Sequence, residues 1–174
     1  LTHELVHAFQ VDVLFGDSAG VIGNPFSSSP PLWFMEGMSE YLSVGGVDAN
    51  TKMWLRDASL EGYLIPIRTL QYVGDIRVYR FGQSILQFIA DTYGVGKIGE
   101  LLQRTRRLGN VERALESTTG LSIETLSKKW QEAVRKEYLP QIADYDKPDA
   151  IASRLTHSER DRSNFNVAVS LAPS

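Results

Sequence analysis

Two histidines stand four residues apart near the start of the chain, His3 and His7, and Glu4 follows the first of them. Residues i and i+4 lie on one face of an α-helix, so both imidazoles can reach one metal ion. A glutamate beside them can act as the base that takes a proton from a metal-activated water. This HExxH pattern predicts a zinc hydrolase, in the first place a peptidase, with His3 and His7 as metal ligands and Glu4 as the catalytic base.

The pattern alone also fits two surface histidines on an ordinary helix. The residues inside and around the motif favour the metal site, because Leu5, Val6, Ala8 and Phe9 are all uncharged. We therefore expect a mostly buried helix, whose apolar surroundings would keep the metal partly dry.

A catalytic zinc site usually has three protein ligands and one open position for water. The chain has no cysteine and three histidines in all, the third being His157 in a distant polar segment. Gln10 and Val13 stand where a metzincin would have glycine and histidine, which excludes that class of zinc peptidase. We therefore expect the third ligand to be a carboxylate.

Glu36 is the best candidate for this ligand. It lies in an otherwise apolar segment beside Trp33, Phe34 and Met35, where a carboxylate is costly unless it is paired or bound to a metal. The alternative is a Glu36 that points to solvent from an amphipathic helix. Glu40 comes one turn later and can orient a ligand histidine from outside the ligand set, although exposure is the default for a glutamate.

Helices must position these residues, since the chain contains several segments of helical periodicity separated by glycine and proline. The fold class is thus predicted to be mainly α. A long loop is expected between Gly16 and Pro31, residues 59–77 are ambiguous, and Pro140 is expected to close the last helix. The predicted helices cover residues 1–14, 31–44, 50–58, 79–93, 96–108, 110–118 and 122–140.

The 174 residues suit one domain with a piece of a second. The composition changes near Asp144, which predicts a first domain over residues 1–145 and a linker with a possible strand at 166–171 within residues 146–174. The net charge of −3 gives no indication of nucleic acid as a partner. No apolar run approaches the roughly 20 residues that span a bilayer. Because the chain begins inside the motif's own helix, we expect it to be a fragment.

The motif and the segment around Glu36 together resemble the gluzincin metallopeptidases, the clan of thermolysin and the aminopeptidases. The matching positions after the HExxH motif are Trp33, Glu36, Gly37, Ser39 and Tyr41. The resemblance implies a helical zincin lobe, truncated at its N-terminal side, and one Zn²⁺ held by His3, His7 and Glu36. It also implies a peptide or protein substrate. The 28 residues between His7 and Glu36 exceed the family's usual gap and indicate an insertion.

A second segment, residues 78–82, is similar to the family's V-P-Y-E-K-G sequence, in which the tyrosine hydroxyl stabilises the oxyanion. The resemblance implies this role for Tyr79, with Tyr72 as a weaker alternative. A tyrosine that simply packs at a helix start is the plain alternative. Arg80 departs from the family pattern. Arg77 and Arg80 flank Tyr79 and could bind a peptide carboxylate, but the expectation is that both are solvated charges.

The chain is most similar to bacterial peptidase-MA-like domains of the kind that precede a TolB-type β-propeller. Residues 154–174 resemble the entry into a first propeller blade, and the resemblance implies an extracytoplasmic location. A rival hypothesis is a non-catalytic zincin module that assists the propeller, and a third is a zinc hydrolase of non-peptide bonds. Exopeptidase and endopeptidase activity are not distinguished by these residues.

Overall fold

α-Helices make up the regular structure of this computed structural model, which describes residues 2–16, 30–146 and 148–153. Within those residues there are nine helices and no strand, which confirms the mainly α prediction. Residues 17–29 of the predicted long loop and the predicted strand at 166–171 lie outside the described residues. The helices are α1 Thr2–Phe15, α2 Leu32–Val44, α3 Ala49–Leu60, α4 Ile67–Leu70, α5 Arg77–Tyr93, α6 Gly96–Leu108, α7 Val111–Thr119, α8 Ile123–Ile142 and α9 Pro148–Ile151.

The chain separates into two compact units, residues 1–142 and residues 143–174. Helices α1 to α8 belong to the first unit and α9 to the second. The predicted propeller entry, residues 154–174, falls outside the part that the structure describes. No helix in the described part is both long and apolar enough to cross a lipid bilayer.

Local chemistry sets the helix boundaries. The side chain of Asp48 caps α3 by accepting a hydrogen bond from the Thr51 N–H at 2.8 Å, and Asn110 caps α7 in the same way. These caps satisfy N–H groups that the first turn leaves without a partner. At the other end of α2, Gly45 adopts a left-handed conformation with φ of 82°, which glycine reaches without steric cost.

Pro140 lies inside α8 and does not close it, so that prediction was wrong. Proline at this position offers no N–H to the carbonyl of Lys136. Both residues are exposed, so water can bond the freed carbonyl, and the helix continues for two more residues. The start of α2 also differs from the prediction by one position. Pro31, predicted as its first residue, precedes the helix, and the Pro31 carbonyl accepts hydrogen bonds from the backbone N–H groups of Phe34 and Met35.

Helix α5 lies at the centre of the first unit and packs against α2, α3, α6 and α8. Its inner side chains, among them Phe81, Ile85 and Ile89, are fully buried. From α8, the ring of Trp130 lies 6.0 Å from that of Phe81 and donates its indole N–H to Ser84 Oγ at 3.0 Å. Burial of each such side chain stabilises the fold by about 1.5–3 kcal/mol, which makes α5 a rigid base for the helices around it.

Two glycines allow α2 and α5 to touch backbone to backbone. A Cβ atom on Gly37 would lie 2.4 Å from the carbonyl carbon of Gly82, and a Cβ on Gly82 would lie 2.3 Å from the carbonyl oxygen of Trp33. No real side chain tolerates such distances, so the close crossing requires glycine on both helices. It fixes α5 directly behind the turn of α2 that carries Glu36.

Candidate metal centre

Helix α1 presents His3 and His7 side by side on one face, as their spacing predicts. Their Nε2 atoms are 3.1 Å apart and their rings meet edge to face, with centroids 4.8 Å apart. The helix is less buried than predicted, because it packs mainly against α2 and α6 among the described helices and several of its side chains are exposed. Among its residues Val6 and Gln10 are buried, whereas Leu5 and Phe9 are exposed.

Helix α2 brings Glu36 to the same point. Its Oε2 atom lies 3.1 Å from Nε2 of His3 and 3.1 Å from Nε2 of His7, and its side chain is only 15% exposed. The core side of α2 is apolar, with Trp33, Phe34 and Met38 almost fully buried. This burial fixes the rotation of the helix and turns Glu36 toward α1.

The donor set fits a single divalent cation. The three atoms form a triangle with edges of 3.1 Å, close to the roughly 3.3–3.4 Å expected between ligands of a tetrahedral zinc ion at 2.0–2.1 Å. Two imidazole nitrogens and a carboxylate oxygen are also the ligand types that zinc prefers. Among the described residues, His3, His7 and Glu36 are the group of three such donors that can share one ion.

A hydrogen-bond network from α1 and α2 holds the His7 ring. Gln10 donates its amide N–H to the carbonyl of Met35 at 2.9 Å, so its Oε1 is left as an acceptor, 2.8 Å from His7 Nδ1. Ser39 Oγ also donates to this oxygen and lies 3.1 Å from His7 Nδ1. His7 therefore carries its proton on Nδ1, which leaves the Nε2 lone pair for a metal.

Glu40 holds the other ring. Its Oε1 atom lies 3.3 Å from Nδ1 of His3, within ion-pair distance, and its Oε2 accepts a hydrogen bond from Arg80 Nη1 at 3.0 Å. The glutamate is 16% exposed. Each histidine of the group thus has an acceptor on its Nδ1 side and presents Nε2 to the shared point.

Glu4 lies on α1 next to His3 and is exposed. Its negative charge is close enough to Tyr79 to contribute to the raised pKa of that tyrosine. The structure thus shows an exposed carboxylate on α1 beside His3, a side chain whose chemistry allows it to act as a general base.

Tyr79, at the start of α5, also reaches the site. Its ring stacks beside that of His3, with centroids 6.3 Å apart. Burial raises the pKa of the Tyr79 hydroxyl above its usual value, and the nearby carboxylate of Glu36, which also accepts a hydrogen bond from it, raises the pKa further. The hydroxyl therefore remains a donor at neutral pH. Tyr72, the alternative, is 82% exposed on the turn after α4.

Sequence reasoning missed two residues of the site. Arg80 was expected to be a solvated charge, but it is 16% exposed and pairs with Glu40, so that expectation was wrong. Its partner lies 40 positions away, and only the crossing of α2 and α5 brings them together. Gln10 stands three residues after His7, a spacing that places both on one helix face and could have indicated its contact. Arg77 pairs with the nearby Asp75, and His157 lies outside the described residues.

Known proteins match the chain in sequence but not in solved structure. No solved structure matches it at a significant level. The protein YhcO of Bacillus subtilis (strain 168), described as uncharacterized, is 26% identical over 138 residues, or 74% of this chain. The chain spans about two fifths of the length of that relative, 40%. A family model of the Peptidase MA superfamily matches residues 2–136, from the first turn of α1 to the last third of α8, and the chain belongs to this superfamily.

Proposed function

We propose that this chain is the helical lobe of a zinc-dependent metallopeptidase of the gluzincin type. The observation that carries the proposal is the convergence of His3 Nε2, His7 Nε2 and Glu36 Oε2 at mutual distances of 3.1 Å. Membership of the Peptidase MA superfamily supports a peptidase-like domain around this group.

His3, His7 and Glu36 would hold the zinc ion from one side and leave the other side open to solvent. A zinc ion held there would supply a Lewis acid for the scissile carbonyl and lower the pKa of a water toward about 7. The Nδ1 partners of both histidines would keep the ligand nitrogens aimed at one point.

Glu4 acts as the general base and then as the acid. It takes a proton from the attacking water as the water oxygen bonds to the carbonyl carbon. It then delivers this proton to the amide nitrogen as the C–N bond breaks, which releases a neutral amine. The Tyr79 hydroxyl donates a hydrogen bond to the oxyanion that develops on the former carbonyl oxygen.

Replacement of Glu4 by glutamine tests the proposal. The Glu4→Gln variant should bind zinc as the wild type does, because Glu4 lies outside the ligand triangle. Its rate on a quenched peptide library should fall on the order of 10²–10⁴-fold, the usual contribution of a general base. Near-unchanged turnover would refute the mechanism, and a wild-type chain that is silent with and without chelator would favour a scaffold role instead.

The resemblance of residues 154–174 to a propeller entry extends the proposal to the whole protein. A β-propeller would then follow this lobe in the whole protein, and the protein would act outside the cytoplasm. Proteolysis of the whole protein by a protease of broad specificity, followed by mass spectrometry, would test whether a second stable domain begins after residue 146.

A further inference from the structure

Arg80 contacts Glu40, and Glu40 in turn contacts His3, one of the proposed metal ligands. Arg80 Nη1 donates to Glu40 Oε2 at 3.0 Å, while the other oxygen of Glu40 lies 3.3 Å from Nδ1 of His3. Each oxygen of the carboxylate therefore has one partner, and the two partners lie on different helices, α5 and α1.

Among the carboxylates near Arg80, Glu40 is the one within hydrogen-bond distance of its guanidinium. Its next carboxylate contact is Asp48 Oδ2 at 3.9 Å, and Asp48 already caps α3 through its other oxygen. The side chains of Arg80 and Glu40 are both 16% exposed, so this is not an ion pair of the solvated surface. The Arg80 Nε atom is buried and finds no acceptor among the described residues, which leaves the guanidinium attached through its terminal nitrogen.

We infer that Arg80 is a positioning residue of the metal centre: through Glu40 it fixes the ring of His3 and so raises the affinity of the site for zinc. The inference rests on the proposed function, because it requires that the triangle binds a metal. A glutamate carboxylate rotates broadly about its last torsion. A charge-assisted hydrogen bond on the oxygen opposite His3 fixes that torsion and holds Oε1 against Nδ1.

Arg80 also balances charge. Glu36 and Glu40 lie one turn apart on α2, and the guanidinium of Arg80 is a fixed cation beside Glu40. Without it, Glu40 would be a poorly solvated carboxylate next to another one. It would then turn toward solvent, and His3 would lose the partner that fixes its ring.

The competing explanation is that Arg80 only stabilises the packing of α5 against α2. Loss of such a contact would lower the melting temperature of the metal-free protein and leave zinc affinity unchanged. Zinc affinity, measured by competition with a chromophoric chelator, therefore distinguishes the two roles.

The test compares Arg80→Met, Arg80→Lys, Glu40→Gln and the double variant Arg80→Met with Glu40→Gln in the 174-residue chain. Arg80→Met should weaken zinc binding about tenfold, the lower end of the range for partners of metal ligands. Arg80→Lys should recover most of this loss, because lysine keeps the charge but not the planar fork. The double variant should bind within about threefold of Glu40→Gln alone, since Arg80 acts through that residue.

Arg77→Met is the matched control, because Arg77 lies one turn away on α5 and pairs with the exposed Asp75; its zinc affinity should equal that of the wild type. Arg80→Gln replaces Arg80→Met, with the same expectation, if the latter does not fold. Wild-type affinity in Arg80→Met, or losses from Arg80→Met and Glu40→Gln that multiply, would overturn the inference while the proposed function stands. A wild-type chain that binds no zinc would overturn both.

Discussion

Glu36 contacts both His3 and His7 through a single oxygen atom, Oε2, which lies 3.1 Å from the Nε2 atom of each ring. A carboxylate in this position brings the negative charge that a cation needs, and its 15% exposure limits competition from water. The identity of this one side chain should therefore matter more to metal binding than the outer partners do.

Glu36→Gln removes that charge and keeps the size of the side chain. We expect zinc affinity to fall by more than about 100-fold, beyond the 10–100-fold range seen for partners outside the ligand set. Chelator competition measures the loss. Glu132→Gln on the exposed side of α8 is the control and should bind zinc normally. Tight zinc binding in Glu36→Gln would move the third ligand to another residue.

Tyr79→Phe should separate catalysis from metal binding. The ring remains to stack on His3 but no longer donates to Glu36, so zinc affinity should fall by less than about tenfold. At saturating zinc, kcat should fall about 10²-fold because one donor to the oxyanion is lost. Steady-state kinetics on a cleaved peptide measure the effect. The control is Tyr72→Phe at an exposed site, and a slow Tyr72→Phe with a normal Tyr79→Phe would transfer the role to Tyr72.

The crossing of α2 and α5 is the element on which the geometry of the site depends. Gly37 and Gly82 meet with their backbones in contact, which places Tyr79 and Arg80 of α5 opposite Glu36 and Glu40 of α2. Neither helix can move away without separating these pairs. The geometry of the site therefore depends on two glycines, Gly37 and Gly82, that have no side chain of their own.

Gly37→Ala should lower the free energy of unfolding by about 3 kcal/mol, at the upper end of the cost of overpacking, because a Cβ at 2.4 Å from backbone cannot be relieved by a rotamer change. Denaturant unfolding measures the loss. Gly99→Ala, in the interior of α6 with nothing within 4 Å of its Cβ, is the matched control. It should be neutral or stabilising by up to about 1 kcal/mol. Equal stability of the two variants would show that the helices can separate at little cost.

The elements were largely predictable because their signals are local. Caps such as Asn110, stops such as Gly45 and the apolar periodicity of α5 all act within a few residues. The grouping of His3, His7 and Glu36 was predictable for a related reason, since the i, i+4 spacing and the cost of a carboxylate in an apolar segment each appear in the sequence; that these residues bind a metal stays a prediction. The contact of Arg80 with Glu40 was not predictable, because it depends on how two helices that are distant in sequence cross.

At the scale of the whole molecule, α1 is attached to the first unit by few buried groups. Among its described residues Val6 and Gln10 are buried, while Leu5, Phe9 and Val11 are each more than half exposed. A metal ion that bonds to two residues of α1 and one of α2 would therefore act as a cross-link between them. Metal binding and the stability of α1 should be coupled.

Zinc removal should loosen α1 while the rest of the unit stays folded. With chelator, amide hydrogen exchange over residues 2–15 should become fast, whereas exchange in α8, which contains the buried Trp130, should not change. Zinc at about 100 times its dissociation constant should restore protection of up to roughly 2.7 kcal/mol. Glu36→Gln is the control, because zinc at the same concentration should not slow its exchange. Equal protection of α1 in the wild type with chelator and with zinc would mean that packing alone holds the helix. The metal would then bind to a preformed site without stabilising α1.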